Sequence, residues 1–473
     1  MPIQTILHEG IFHPDQEKTY FHLPFDVPGE AVKLEVEYQY SNRIGSDPQL
    51  VGGNTLDLGL FDERGIDFLT AGFRGWSGSE RKAFTITEKE ATPGYLAGAL
   101  NPGTWHVLLG LYKIAPQGCS YKVTIRITTR VGRKKTRRGA DLAGSLPSFK
   151  GKLPASQPPA RFSPWLCGEL HCHTWHSDGE LSAADLVRLS AERGLDFLAV
   201  ADHNTIASQR ELEEIPAPGL ILIRGVEVTS FKGHFNVWGI PDWVDFRITR
   251  PEEMQAALEF AHKRGALVSC NHPKPYGPAW DYSAVTQFDC VEVWNGPWFL
   301  FNQQALEYWL SLLETGRRIP AVAGSDFHRL GEMTQVVSRA PGSPATWVYA
   351  PGTPEAGSIL QAISAGHVSL SDAPDGPFLD LRAGREMSAM AGDLFPRSSE
   401  GNLPVQVHCL RGAGCSLRIL DQRDVLLERK VIEDDELISA ELSVMDSLYV
   451  RVELRAEEQQ LKAMTNPVYL QQR

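Results

Sequence analysis

The chain has 473 residues, 58 of them acidic against 46 basic, for a formal net charge of -12. That length predicts roughly two to four domains, and the acidic balance argues against nucleic acid as a general partner. An apolar fraction of 42% and a charged fraction of 22% are those of a soluble globular protein. No run of about eighteen apolar residues predicts a membrane span, and the Met1–Gln4 start lacks a secretory pattern. The seven scattered cysteines predict no disulfide framework and a reducing, cytoplasmic setting.

Residues 1–130 read as β. Val32–Tyr38 and Tyr121–Ile127 alternate apolar and polar side chains, as half-buried strands do. Leu56–Phe61 and Trp105–Leu111 lie between them, and short strands separated by Gly, Pro and Asn predict an antiparallel sandwich. The stretches Asn101-Pro102-Gly103-Thr104-Trp105 and Gly118-Cys119-Ser120-Tyr121 resemble jelly-roll accessory domains. Residues 131–164 read as a linker. A basic run from Arg130 through Arg133, Lys134, Lys135, Arg137 and Arg138 leads into it and gives way to Gly, Ser and Pro. A solvated connector and an anion-recruiting patch are its two readings.

Residues 165–375 alternate strand and helix. Ser182 caps a helix with Asp185 in its first turn, and Gly194 ends it. Short apolar strands follow at Phe197–Ala201 and Leu220–Ile223. A helix over Pro251–Arg264 stops at Gly265. Further strands are predicted at Ala266–Ser269, Cys290–Val293 and Ile319–Ala323. The alternation implies parallel strands in a barrel or an open sheet. Residues 376–473 return to β, with strands at Val405–Cys409, Cys415–Leu420 and Leu448–Leu454, and predict a second small sandwich.

Eight of the fourteen histidines fall between His171 and His328. In parallel β/α folds, functional side chains come from the C-terminal ends of strands. Asp202 and His203 end one predicted strand, and Asn271 and His272 end another. Glu227 comes just after a third, Glu292 lies on a fourth, and Asp326 and His328 close a fifth. Residues i and i+2 of a strand share a face, so His171 with His173, and Asp326 with His328, can each grip one ion. Imidazole and carboxylate together suit zinc, iron or manganese. A carboxylate between two ions bridges them, and bridged ions hold and activate a hydroxide.

Each fragment has a plainer reading. His-x-His alone is a weak motif, Asp202–Thr205 reads equally as a turn, and Glu227 as a satisfied buried acid. Their convergence favours a metal site, because an accidental cluster leaves many buried polar groups unsatisfied. Cys172 alternates away from its flanking histidines toward packing. His176 is an alternative ligand to Asp178. His262 sits as a dipole partner at a helix end, and His367 at the end of another helix. Arg224 reads as a barrel-wall ion pair. Trp294, Trp298, Phe299 and Phe301 read either as a substrate pocket or as packing between barrel and sandwich.

The ordered set His171-x-His173, Ser177-Asp178-Gly179, Ala201-Asp202-His203-Asn204-Thr205, Gly225-Val226-Glu227-Val228-Thr229, Gly233-His234, Asn271-His272-Pro273 and Gly324-Ser325-Asp326-x-His328 resembles the PHP (polymerase and histidinol phosphatase) superfamily over residues 165–375. Glu292-Val293-Trp294-Asn295-Gly296 and Thr465-Asn466-Pro467-Val468-Tyr469-Leu470 resemble its carbaryl-hydrolase (CehA/McbA-like) branch. The resemblance implies a distorted (β/α)7 barrel, here flanked by N-terminal and C-terminal β-sandwich domains, with two or three divalent ions. It implies His171, His173, Glu227 and Asp326 on one ion, and Glu227 bridging to a second held by His234 and His272. Asp178, His203 and His328 would hold a third.

The function expected is metal-dependent hydrolysis of a phosphomonoester or phosphodiester on a small anionic substrate. A carboxylester, carbamate or amide hydrolase is the alternative, and a non-catalytic metal-stabilised scaffold the second alternative. Asp202 or His203 is the expected proton donor to the leaving group. Lys274 and Arg329 are the expected anion-holding residues, with Asn271 and Asn295 beside the substrate.

Overall fold

The computed structural model describes residues 1–47, 50–130, 164–275, 279–332, 339–397, 401–457 and 460–471. Residues 131–163, with the basic run Arg133–Arg138, lie outside the described residues. The first eight strands are β1 (Ile3–Phe12), β2 (Tyr20–Val27), β3 (Ala31–Tyr40), β4 (Thr55–Phe61), β5 (Phe73–Gly78), β6 (Ala83–Thr87), β7 (Gly103–Lys113) and β8 (Cys119–Thr129). They form two four-stranded antiparallel sheets, β1-β8-β3-β6 and β2-β7-β4-β5. Alternation explains the layering: Leu34, Val36 and Tyr38 of one sheet meet Leu56, Leu58 and Leu60 of the other in a shared core. Asp57 and Gly59 therefore face the opposite way, out of the sandwich.

The central segment contains β9 (Trp165–Cys172), α1 (Ala183–Glu192), β10 (Phe197–Val200), α2 (Ala207–Leu212), β11 (Ile221–Ser230), β12 (Gly233–Trp238), α3 (Pro251–His262), β13 (Leu267–Cys270), β14 (Cys290–Asn295), α4 (Asn302–Glu314), β15 (Ala321–Gly324), β16 (Ala345–Tyr349), α5 (Ala356–Ala365) and β17 (Val368–Ser371). The Ser182 hydroxyl accepts from Asp185 N and caps α1. All four residues of β10 are buried, as in a strand covered on both faces.

β9, β10 and β11 run parallel, as do β13, β14 and β15. Between these sets β11 and β12 form an antiparallel hairpin, and β12 pairs antiparallel with β13. The strict alternation predicted from sequence is interrupted there, because Ser230–Gly233 turns the chain tightly with no helix between. β11 is also longer than Leu220–Ile223, so Glu227 lies within the strand and not after it. The sheet curls until its ends meet beyond β15. Asp326 N donates to His171 O at 2.8 Å, and His173 N donates to Phe327 O at 3.0 Å. The described strands form a curled mixed sheet.

The C-terminal strands are β18 (Phe378–Ala383), β19 (Ala389–Met390), β20 (Leu394–Phe395), β21 (Asn402–Leu410), β22 (Ser416–Leu420), β23 (Val425–Lys430), β24 (Asp435–Ser443), β25 (Tyr449–Arg455), β26 (Leu461–Thr465) and β27 (Val468–Leu470). Sheet β19-β18-β21-β24 shares a core with β26-β25-β22-β23. The second sheet is continuous with the central one, because β26 pairs with β17 at Ser369↔Thr465. Asn466 fastens the same join: its Oδ1 accepts from Ala321 N at 2.7 Å and its Nδ2 donates to Ala321 O at 3.0 Å. None of the seven cysteines is in a disulfide. No helix among the described residues is long and apolar enough to cross a membrane.

Candidate metal centre

Six strands of the curled sheet deliver the predicted ligands to one end. His171 is on β9 with His173 just beyond it, and His203 follows β10. Glu227 is on β11, His234 on β12, His272 follows β13, and Asp326 and His328 follow β15. Their backbones are specialised. His272 (φ 30°) and Asp326 (φ 53°) are left-handed without being glycine, the kind of strain that concentrates at functional sites. At Gly324 an added Cβ would lie 2.4 Å from His171 Cβ and 2.6 Å from Glu292 Oε1. Only glycine lets β15 approach that pair.

Glu227 is the hub, and it is fully buried. Its Oε1 lies 3.3 Å from His171 Nε2, 3.2 Å from His234 Nδ1 and 3.3 Å from His272 Nε2. Its Oε2 lies 2.7 Å from His203 Nδ1 and 3.8 Å from His173 Nε2. His173 Nε2 is also 3.0 Å from Asp326 Oδ1. Asp178 Oδ1 sits 3.6 Å from His203 Nε2 and 3.4 Å from His328 Nε2. Three ligand groups emerge, each with donor atoms within 4.8 Å of one another. They are His171, His173 and Glu227; Glu227, His234 and His272; and His173, Asp178, His203 and His328.

The donor set fits divalent cations. Two ligands bound at about 2.1 Å to one ion lie roughly 3–4 Å apart, which is the spacing seen here. His171 Nε2, Asp178 Oδ1 and Glu227 Oε2 are buried without a hydrogen-bond partner, a costly arrangement unless something else satisfies them. His171 Nδ1 meanwhile contacts Glu292 Oε1 at 2.8 Å. Glu292 Oε2 accepts from Asn295 Nδ2 at 3.1 Å and His272 N at 3.2 Å. A carboxylate behind a metal-facing imidazole fixes its tautomer and aims its other nitrogen.

The electrostatics agree. Burial opposes the Glu227 carboxylate, yet His171, His203 and His234 hold it well below the usual carboxylate range. Burial likewise opposes ionised Asp326, and His171 with the neighbouring imidazoles overcomes it. Burial disfavours protonated His171, but Glu292 and Glu227 raise it well above its ordinary value. A bound cation would take the place of those protons.

Several expectations change. Asp202 does not face the cluster: it accepts from Thr174 N, Thr174 Oγ1 and Ser177 Oγ, each at 2.8 Å. Its carboxylate holds the loop carrying Asp178 and is not placed to donate a proton. His203 is committed to the cluster. Lys274 is buried, and its Nζ donates to Asn295 O at 2.8 Å and Asn302 Oδ1 at 2.9 Å, so it braces the wall and does not reach a substrate. Asn271 donates to Glu227 Oε1 at 3.0 Å and positions the hub. Asn295 and Arg329 do line the cavity over the cluster.

His176 joins Glu211 at 2.7 Å and accepts from Gly94 N at 3.1 Å, tying the N-terminal sandwich to the central sheet outside any ligand group. Cys172 is buried in a hydrophobic cluster. His262 pairs with Asp289, His367 with Asp393 and Arg224 with Glu213. Trp298, Phe299 and Phe301 line a separate groove with Pro273 and Gln303.

The cavity over the cluster has a volume of about 380 Å³. Sequence reasoning missed two of its features. Arg339 contributes a guanidinium whose Nη1 lies 3.3 Å from Asp326 Oδ2; no motif marks it. The opposite wall comes from the N-terminal sandwich, as Tyr20, Asp57, Trp76 and Tyr112. Burial pushes the Asp57 carboxyl up to about 7, with Lys18 and then His203 pulling it down. The isolated acid within Leu56-Asp57-Leu58 was the one signal available, and alternation reads it as a solvent-facing residue.

The described residues thus define a class of site, a buried nest of imidazole and carboxylate able to hold divalent cations, beneath a cavity with two arginines. No protein-family model matches the chain. It is 43% identical over 63 residues to a 5'-3' exoribonuclease of Haemophilus influenzae, covering 13% of this chain and 23% of that protein. It is 34% identical over 125 residues to the 5'-3' exoribonuclease Rnm of Salmonella typhimurium, covering 24% and 40% respectively. The chain therefore spans less than half the length of these curated relatives. Among solved structures, it is similar to a two-domain protein containing a predicted PHP-like metal-dependent phosphoesterase from Bacteroides vulgatus. That match has 17% identity and a TM-score of 0.37, covering 64% of this chain and 95% of the other. An amidohydrolase from Chromobacterium violaceum aligns at 14% identity and a TM-score of 0.26, covering 37% and 90%.

Proposed function

We propose that this chain is a metal-dependent hydrolase of the PHP type, and that it cleaves phosphoesters of small organic molecules. The single observation that carries the reading is the convergence of three ligand groups, two of them sharing Glu227, beneath a cavity that also holds Arg329 and Arg339. Zinc, manganese or iron ions, two or three in number, supply Lewis acidity and lower the pKa of water when bound. Glu227 orients His171, His234 and His272 about itself, and Asn271 keeps its carboxylate turned toward them. Arg339 and Arg329 attract the anionic group and spread its charge.

The distorted seven-unit barrel implied by the PHP resemblance, and a division into domains at about residues 130, 165 and 375, belong to this reading. So does a cytoplasmic setting. The exoribonuclease relatives act on phosphodiesters, which is consistent with it. The acidic chain makes a small phosphoester a better fit than a long nucleic acid.

Aromatic side chains in the cavity favour one alternative, a carboxylester or carbamate hydrolase of the carbaryl type. Metal analysis with an activity panel separates the two. Turnover of phosphomonoesters or diesters, lost in Glu227→Ala and His272→Ala together with bound metal, supports phosphoester hydrolysis. Turnover of aryl esters or carbamates with no phosphoester activity overturns it. Full metal loading with no turnover of any panel member leaves the non-catalytic scaffold.

A further inference from the structure

The cavity wall facing the metal ligands is built from the N-terminal sandwich, and its layout follows from strand register. Tyr20 on β2 pairs with Gly110 on β7, and Gly110 pairs in turn with Asp57 on β4. Directly paired residues, and those two apart, share a face. Tyr112 and Gly59 therefore join this row, and Trp76 pairs with Gly59. At the centre of the row Gly110 has no side chain, which leaves room for Asp57 and Trp76 to close in over it. An added Cβ there would sit 3.0 Å from both Asp57 Oδ2 and the Trp76 ring.

Around Gly110 the aromatic groups are fixed. Tyr20 stacks on Phe231 with ring centroids 4.8 Å apart and planes at 16°. Its hydroxyl donates to Phe246 O at 3.2 Å, which leaves the ring and not the hydroxyl to line the cavity. Lys18 Nζ lies 3.6 Å from the Tyr112 ring centroid. The two sheets are held in place by Gly94, whose N–H donates to His176 and whose carbonyl accepts from Thr205 Oγ1 at 2.8 Å. Phe231 belongs to the same hairpin as His234, so one hairpin carries both the ring platform and a candidate ligand.

Asp57 faces this cavity, with Lys18 favouring its ionised form from a distance. Among the described residues no hydrogen bond or ion pair within 4.0 Å engages its carboxylate, although it is only partly exposed. A carboxylate withheld from bulk water beside flat rings suits a ligand that is planar and carries a hydrogen-bond donor. We propose that this wall selects the substrate's non-reacting portion. Asp57 accepts a hydrogen bond from a hydroxyl or amino group on a planar moiety, which packs against Tyr20, Tyr112 and Phe231 while the group to be hydrolysed lies at the metal ligands. The choice of a phosphorylated substrate rests on the function proposed above; the role of the wall does not.

The test uses full-length, metal-loaded protein and titration calorimetry with phenylphosphonate and 4-aminophenylphosphonate. The wild type binds the amino compound about tenfold more tightly, the scale of one charge-assisted hydrogen bond. In Asp57→Ala that ratio falls to about one, while elemental analysis finds the metal content of the wild type. Asp57→Asn retains an acceptor and falls between the two. A ratio of one in the wild type, or a tenfold ratio surviving in Asp57→Ala, overturns the assignment. Loss of metal from Asp57→Ala also overturns it, by placing Asp57 among the ligands. If neither phosphonate binds the wild type, the phosphoester reading fails, and the same ratio is read with phenyl and 4-aminophenyl N-methylcarbamate. Equal binding of that pair then removes the role of the wall as well.

Discussion

His171 Nδ1 and Glu292 Oε1 meet at 2.8 Å in a fully buried pair, on the side of the imidazole away from Glu227. The contact leaves Nε2 to face the cluster and fixes the ring plane. Replacing Glu292 by Gln keeps the shape and removes the charge. Carboxylates in this position are worth about 10–100-fold in metal affinity. Glu292→Gln is expected to lose that much in competition with a chromogenic chelator while its unfolding midpoint holds. Unchanged affinity would reduce the pair to packing.

Removing metal leaves Glu227 and its imidazoles buried with unmet charge. Mass action gives the bound form about 2.7 kcal/mol at a hundredfold excess of metal over Kd. Chelation is therefore expected to lower the thermal midpoint on the order of 5 °C. Scanning calorimetry of Glu227→Ala should show little response to added metal. A metal-free wild type with the holoprotein's midpoint would contradict the account.

His22 on β2 accepts from Arg247 Nη1 at 3.2 Å, joining the N-terminal sandwich to the central segment. Burial, then Arg247 and His106, lowers its pKa from 6.5 to about 4. The folded state thus binds fewer protons than the unfolded state between those values. The contribution is whole above pH 6.5 and is lost as pH falls toward 4. Its size is roughly 2 kcal/mol after allowance for partial exposure. Urea unfolding at pH 7.5 and 4.5 should show that extra loss in the wild type and not in His22→Gln. Identical pH dependence in both proteins would rule out His22 as the titrating group.

Asn466 completes the hydrogen bonds of Ala321 at the start of β15. Asn466→Ala strands a buried backbone donor and acceptor, at a cost of about 3 kcal/mol. Because β15 leads into Asp326 and His328, metal should also dissociate faster from this variant. Stopped-flow transfer to a chelator measures the second effect. Destabilisation with an unaltered dissociation rate would confine Asn466 to the join between β15 and the C-terminal strands.

Most of the candidate ligands were visible in sequence because they lie at or next to strand ends, where polar residues interrupt an apolar run. The two-residue repeat brought His171 and His173 into one ligand group, whereas Asp326 and His328 lie beyond β15, where the strand repeat has ended, and share none. The hub was less legible. Glu227 falls inside a strand that outruns its apolar core, since hairpin pairing with β12 extends β11 where hydrophobicity alone stops it. The roles of Asp202 and Lys274 were misread for one reason: a polar residue beside a ligand has the same sequence signature whether it faces the cavity or braces the wall behind it. Only the partners, Thr174 and Ser177 for one and Asn295 and Asn302 for the other, distinguish the cases.

By itself the sequence determined the elements and the chemistry of the ligands, because hydrophobic repeat, capping and metal preference are properties of residues near one another along the chain. The tertiary structure decided who faces whom. It set β4 against the metal end, turned Asp57 from an apparent solvent residue into a cavity wall, brought Arg339 to Asp326, and ran the central sheet on into the C-terminal strands. Those relationships join positions far apart in the chain, where pairing is fixed by packing and closure of the whole sheet and leaves no local periodicity to read.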